Sequence, residues 1–273
     1  MCGYFRRHIG PETLREFLEL LGFHGYYDQP EQGQEPVTKH FYPAFGGDPN
    51  RTIEHLLIEE DGELKLVTAT WWYDCHEIDG RFSVGTKKTT FNARNLELPY
   101  WRDAISSRRA IVIATGIGEG KQIDGKDKHF LVESDRLMFL GAVYKKFPSG
   151  KYSCAIITRD EHFRFAPYHD KAFPVFLPYN LKFLKLWLSN ADDSDPEIRK
   201  LLSYPKIFSD LKITPVKTFK GGVATGPTEF LKADRNFNCM WRVYEPNRND
   251  SISAGLRRHY AEWRPRRTWS RAA

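Results

Sequence analysis

No apolar run in these 273 residues approaches the roughly 18 that a membrane-crossing helix requires. Secretory character is also lacking at the amino-terminal end, where Arg6, Arg7 and His8 lead into an amphipathic segment rather than an apolar one. A cytoplasmic protein with no membrane partner is expected, nucleoid-associated if the source is bacterial. Cysteine is sparse: Cys2, Cys75, Cys154 and Cys239 lie far apart, which in a reducing compartment argues against a disulfide framework. Neither C-x-x-C nor H-x-x-H occurs, so no metal site and no other cofactor is expected. The glycine-rich stretch ATGIGEGK (114–121) lacks the four-residue gap of G-x-x-x-x-G-K-[ST]. The QIDGKDKHF that follows is turn-like and does not open a helix, which argues against a nucleotide-cradling loop. Internal repeats and low-complexity segments are absent.

Aromatic residues, by contrast, make up 14% of the chain, with seven Trp, and hydrophobic residues 41%, enough to bury one good core. The formal charge of +6 suits an anionic partner such as nucleic acid. Leu14, Phe17, Leu18 and Leu21 share one helical face, with Pro11 suited to the first turn, so a helix is expected over 11–21. The segment IEHLLIEEDGELKLVTATWWY reads as a hairpin bent at Asp61-Gly62. A helix over about 101–108 should feed the strand AIVIAT (110–115). A second hairpin is expected, HFLVE turning at Ser134-Asp135 into RLMFLGAVY, and then a strand KYSCAIIT (151–158). Further helices are expected from Asn180 and from Asp195, the latter an N-cap followed by Pro196, before a strand over 211–219. The expected fold is α+β: a mainly antiparallel, partly closed, barrel-like sheet with flanking helices.

From Gly221 onward ten Lys and Arg stand against five Asp and Glu, with Trp241, Trp263 and Trp269 among them. Two parts are therefore expected, a folded domain over 1–220 and a basic, Trp- and Arg-rich extension over 221–273. Arginine mixed with indole suits phosphates and stacked bases, and equally a tail that packs on the core.

Position 2 carries distinctive chemistry. Removal of Met1 is expected before a small residue, and Cys2 would then hold an amine and a thiol on adjacent carbons. Their reference pKa values, about 7.7–8.0 and about 8.5, leave both partly unprotonated near neutrality. An aminothiol of this kind traps aldehydes. Elsewhere Asn92 and Arg94 point to one side of an extended segment, Glu119 stands among glycines that would admit another chain closely, and His169 lies in a loop before an apolar, Pro-flanked run.

The order of these elements resembles the SOS-response-associated peptidase (SRAP) family over roughly residues 2–218. It runs through Met1-Cys2-Gly3, a tryptophan strand at Trp71 or Trp72, Asn92-Ala93-Arg94, and Trp101-Arg102 with Arg108-Arg109. It continues with AIVIAT, a Gly116-Ile117-Gly118-Glu119 turn, the strand through Cys154, Ile156, Ile157 and Thr158, and His169-Asp170-Lys171 before Pro174-Val175. The chain departs from the family at several places. Tyr4 replaces an Arg, so a phosphate contact would have to come from Arg6 or Arg7. Trp71-Trp72 stands for Trp-Gly, the acidic residue after Asn-Ala-Arg falls late at Glu97, Gly120 replaces an aromatic, and Ala172-Phe173 replaces Arg-Met.

The resemblance implies a monomer that cross-links itself to abasic sites in single-stranded DNA. The amine of Cys2 attacks the deoxyribose aldehyde and loses water, and the thiolate closes a thiazolidine ring, an intramolecular step favoured by high effective molarity. By correspondence with the family, Glu119 would move protons at the amine, His169 would act as acid toward the sugar oxygen, and Asn92 would orient Cys2 or the sugar. Arg94 and Arg102 would hold flanking phosphates, while Trp71 or Trp72 would stack on a base. Two other readings stand beside it: an autoprocessing cysteine peptidase that releases its own N-terminus, and a non-catalytic nucleic-acid-binding module.

Overall fold

A computed structural model describes residues 3–23, 37–189 and 195–234. Met1, Cys2 and the part of the expected extension with its three tryptophans and all of its arginines lie outside the described residues. The elements in chain order are β1 (Phe5–His8), α1 (Pro11–Leu21), β2 (Thr38–Phe41), β3 (Thr52–Glu60), β4 (Glu63–Thr70), β5 (Cys75–Ile78), β6 (Arg81–Val84) and β7 (Asn92–Ala93). Then come α2 (Pro99–Ser107), β8 (Arg109–Ile123), β9 (Lys126–Lys146), β10 (Tyr152–Arg159), β11 (Phe173–Pro174) and β12 (Phe176–Leu177). The described chain ends with α3 (Leu181–Leu188), α4 (Pro196–Ser203), β13 (Leu211–Val216) and β14 (Glu229–Leu231). The α+β expectation holds, with sheet dominant and the sheet partly closed.

Closure follows from the pairings. β8 bonds to β3 on one edge and β9 on the other, β9 to β10, β10 in parallel to β4, and β4 back to β3, so the sheet runs round into a ring. β1 and β2 extend it beyond β8, and β13 and β14 beyond β9. Alternation along β8 sorts its side chains to two faces, as a strand period of two requires. Ala110, Val112 and Ala114 join Phe5, Trp71, Phe91, Ile156, Phe165 and Phe173 in one cluster. Ile111 and Ile113 join the apolar faces of all four helices in the other.

Turn chemistry explains the hairpins. Asp61-Gly62, Asp79-Gly80 and Asp124-Gly125 each supply two successive positive φ angles, the demand of a tight primed turn. The reversal expected at Ser134-Asp135 therefore falls at Asp124-Gly125 instead. At 134–137 β9 runs on through a pairing irregularity, with Gly116 opposite Glu133 but Ala114 opposite Met138. The Gly-x-x-Glu turn is likewise corrected: residues 116–119 form the middle of the continuous strand β8. Residues 221–234 stay with the core, since β14 pairs with β13 from Leu211 opposite Leu231.

Arg109 ties the helices to the sheet. It is 2% exposed, and its guanidinium donates to the carbonyls of Ile105 and Ser106 at the end of α2 and of Trp187 and Ser189 at the end of α3, all within 2.9 Å. A cation at two helix C-termini satisfies carbonyls that have no partner within their helices.

Candidate active site

Glu119 sits on β8 opposite Phe130 of β9, with no solvent exposure. His169 lies late in the loop between β10 and β11 and is 4% exposed. Its Nδ1 lies 2.7 Å from the carbonyl of Gly120 and 3.6 Å from Oε2 of Glu119. A carbonyl only accepts, so Nδ1 carries the proton and Nε2 is the basic atom of the ring. Burial drives the carboxyl of Glu119 up to about 7 and pushes the imidazole of His169 below its ordinary value. Both groups thus favour their uncharged forms, and the acid titrates where proton transfer near neutrality is easiest.

The start of the chain is held against the same strand. Phe5 and Arg6 pair with Ile117 and Gly116, and the N–H of Gly118 donates to the carbonyl of Tyr4 at 3.0 Å. Gly118 permits this approach, because a Cβ there would come within 2.7 Å of ring carbons of both Tyr4 and Phe219. The Tyr4 ring stacks on Phe219 at 5.1 Å, and its hydroxyl lies 2.8 Å from Nδ1 of His40. The aromatic that replaces a cation at position 4 is thereby a packing residue, with a phenol that burial pushes up to about 12.

Asn92 is 8% exposed on β7, which runs parallel to β10 beside Ile156, and the His169 loop leaves that same strand after Arg159. Arg94 is exposed; it donates to Asp160 at 3.1 Å, and Arg159 donates to its carbonyl. Arg102 is exposed and donates to the carbonyl of Glu97.

Four other expected contacts are corrected. Trp71 and Trp72 are 0% and 5% exposed, and their indole N–H groups donate to the carbonyls of Phe91 and Gly85, so neither ring offers a face to a base. Arg7, 3% exposed, donates to the carbonyls of Ile113 and Glu54, and Arg6 is paired with Glu133. Both guanidinium groups are thus engaged within the protein, Arg7 in the core and Arg6 with Glu133. β1, which carries the two arginines, and the bend after β4, which carries the two tryptophans, turn these side chains inward or against neighbours, which a motif in sequence does not reveal.

Sequence reasoning also passed over Lys121, whose ammonium donates to the carbonyl of Ala166 at 2.7 Å and pairs with Asp170 at 3.3 Å. Its placement two residues after Glu119, on the same face of a strand, was the available signal.

Ring-like sheet, four covering helices and a buried acid–imidazole pair beside the chain's first strand define the class. This chain belongs to the SOS response associated peptidase (SRAP) family, whose model matches residues 1–220. Among curated proteins it is similar to the abasic site processing protein YoaM of Bacillus subtilis, 24% identical over 228 residues that cover 81% of this chain and 98% of that one. Abasic site processing protein YoqW of the same organism is 25% identical over 201 residues, covering 71% and 87%. Of solved structures, a phage-related protein from Bordetella bronchiseptica matches with a TM-score of 0.54 at 17% identity, covering 84% of this chain and all of that one. A second protein from that organism matches with a TM-score of 0.52 at 19% identity, over 80% of this chain and 100% of its own. At such identities the structural likeness is one of fold.

Proposed function

We propose that this protein processes abasic sites in single-stranded DNA by joining Cys2, freed of Met1, to the open-chain sugar. The amine adds to the aldehyde, a water molecule leaves to give an iminium ion, and the thiolate adds to the same carbon to close a thiazolidine. The sum of aldehyde and aminothiol is ring plus water, with no redox change. Position 2 is required because only a terminal cysteine offers both nucleophiles.

The observation that carries this reading is that buried Glu119, in contact with His169, lies on β8 next to Gly118, to which Tyr4 is bonded. Tyr4, two positions after Cys2 in the sequence, is bonded to Gly118, the residue before Glu119. Glu119, with a pKa of about 7, serves to take the proton from the amine and return it when the ring opens. His169, its Nδ1 proton held by Gly120, takes a proton at Nε2 and passes it to the sugar oxygen. Asn92 orients the sugar or Cys2, and Arg94 and Arg102 hold the flanking phosphates. The names of the curated relatives agree with this substrate.

The test uses single-stranded oligonucleotide carrying one abasic site made by uracil excision, with products resolved on a denaturing gel. Wild-type protein should give a shifted covalent band and Cys2→Ala none. A band of equal intensity with Cys2→Ala would overturn the assignment. Intact-mass measurement of the purified chain should show that Met1 is gone.

A further inference from the structure

Residues 160–170 carry His169 to its place, and they are tightly wound. The N–H groups of Phe165 and Ala166 both donate to the carbonyl of His162, and that of His169 donates to the carbonyl of Phe165 at 3.1 Å. A segment wound in this way moves as a unit, so whatever grips one end sets the other.

The grip comes from beyond the region that the family model covers. One oxygen of Asp234 accepts from Arg164 at 2.7 Å. The other accepts from the N–H of Ile207 at 2.9 Å and lies 3.2 Å from Nε2 of His162. Arg164 also donates to the carbonyl of Lys232 at 2.7 Å, and the N–H of Asp234 donates to the carbonyl of Ile207. Next to His169, the hydroxyl of Tyr168 donates to Glu229 of β14 at 2.7 Å. β14 is itself fastened to β13, and Asp210 takes bonds from Lys232 and from the N–H of Ala233. Burial alone would raise the Asp234 carboxyl, but bonds from His162, Ile207 and Arg164 hold it at about 2, so the clasp is charged at any working pH.

We propose that Asp234 is a positioning residue for His169: the segment 229–234 clasps the wound turn 162–169 and so sets the distance from the imidazole to Glu119. The inference rests on the abasic-site reading above and deepens it, making the catalytic pair depend on residues after 220. Misplacing a reacting group by an ångström can cost about 10²-fold in rate, which gives a multi-bond clasp at this point functional weight.

The experiment measures the rate and the oligonucleotide dependence of adduct formation for the full chain, with the same abasic oligonucleotide. Asp234→Ala should lower the maximal rate about tenfold while half-saturation stays put. Tyr168→Phe removes a single hydrogen bond of the clasp without changing ring packing, and should lower the same parameter by roughly twofold to threefold. This milder variant decides the matter if Asp234→Ala does not fold. In a His169→Ala background, adding Asp234→Ala or Tyr168→Phe should change nothing further, a non-additivity that a merely structural role would not produce. Wild-type rates in the single variants, or additive losses in the double variants, would overturn the clasp while leaving the abasic-site reading intact. Absence of any adduct from wild-type protein would sink that reading, and the clasp with it.

Discussion

Nδ1 of His169 lies 3.6 Å from Oε2 of Glu119 while donating its proton to the carbonyl of Gly120. At 3.6 Å the two side chains are in contact but do not share a hydrogen bond. The backbone of β8, rather than the acid, therefore fixes the tautomer of the ring. Burial raises the acid and lowers the base, and a pair of titratable groups shifted in this way suits the transfer of single protons near neutrality.

Glu119 should lower stability at neutral pH. An unfolded glutamate titrates near 4.3 and Glu119 near 7, so between those values the native state binds more protons than the unfolded one. Stability contributed by this group therefore falls as pH rises through that window, to a loss on the order of 3 kcal/mol above it. Glu119→Gln should melt higher than wild type at pH 8 and at the same temperature near pH 4.5, while adduct formation is lost. His169 acts in the opposite sense, contributing stability that disappears as pH falls below about 6.5. Because the variant keeps His169, the comparison isolates Glu119.

Gly118 and Gly120 should respond differently to the same substitution. A Cβ at 118 would stand 2.7 Å from Tyr4 and Phe219 ring carbons, whereas at 120 its nearest neighbours are 3.6 and 3.7 Å away. Gly118→Ala is expected to cost about 1–3 kcal/mol in denaturant melts and to slow trapping by displacing Tyr4. Gly120→Ala should stay near wild type in both measurements.

Arg109 is expected to be irreplaceable by lysine. Its planar guanidinium reaches four carbonyls at two helix ends, and a single ammonium cannot span them. Arg109→Lys should lose on the order of 3 kcal/mol in chemical denaturation, with the rate of trapping by the folded fraction unchanged.

Salt dependence separates surface arginines from buried indoles. Arg94→Ala should reduce the slope of log affinity against log salt for single-stranded DNA by roughly 0.7, the loss of one phosphate contact. Trp71→Phe should leave the slope unchanged and lower the melting temperature, because the carbonyl of Phe91 loses its indole donor. A flattened salt slope in Trp71→Phe would return that ring to the DNA surface.

Elements governed by neighbours in sequence were legible without coordinates. The helix over Pro11–Leu21 follows from its apolar spacing, the helix start near Asn180 is found there, and the cap at Asp195 follows from a side chain that accepts from N–H groups two and three residues on. The Asp61-Gly62 bend follows from its two positive φ angles. The aminothiol chemistry of Cys2 is legible from its position alone, and the order of motifs singles out Asn92, Glu119 and His169. Burial and long-range contact were settled elsewhere. Whether Trp71 faces a base or the core depends on how the ring closes through β8 and β9. The meeting of Glu119 with His169 depends on a loop that follows β8 and two further long strands, and the clasp at Asp234 joins residues about 70 apart. Local propensity acts over a turn or two of chain, while a closed sheet chooses its inner face, and therefore its chemistry, only when distant strands pair.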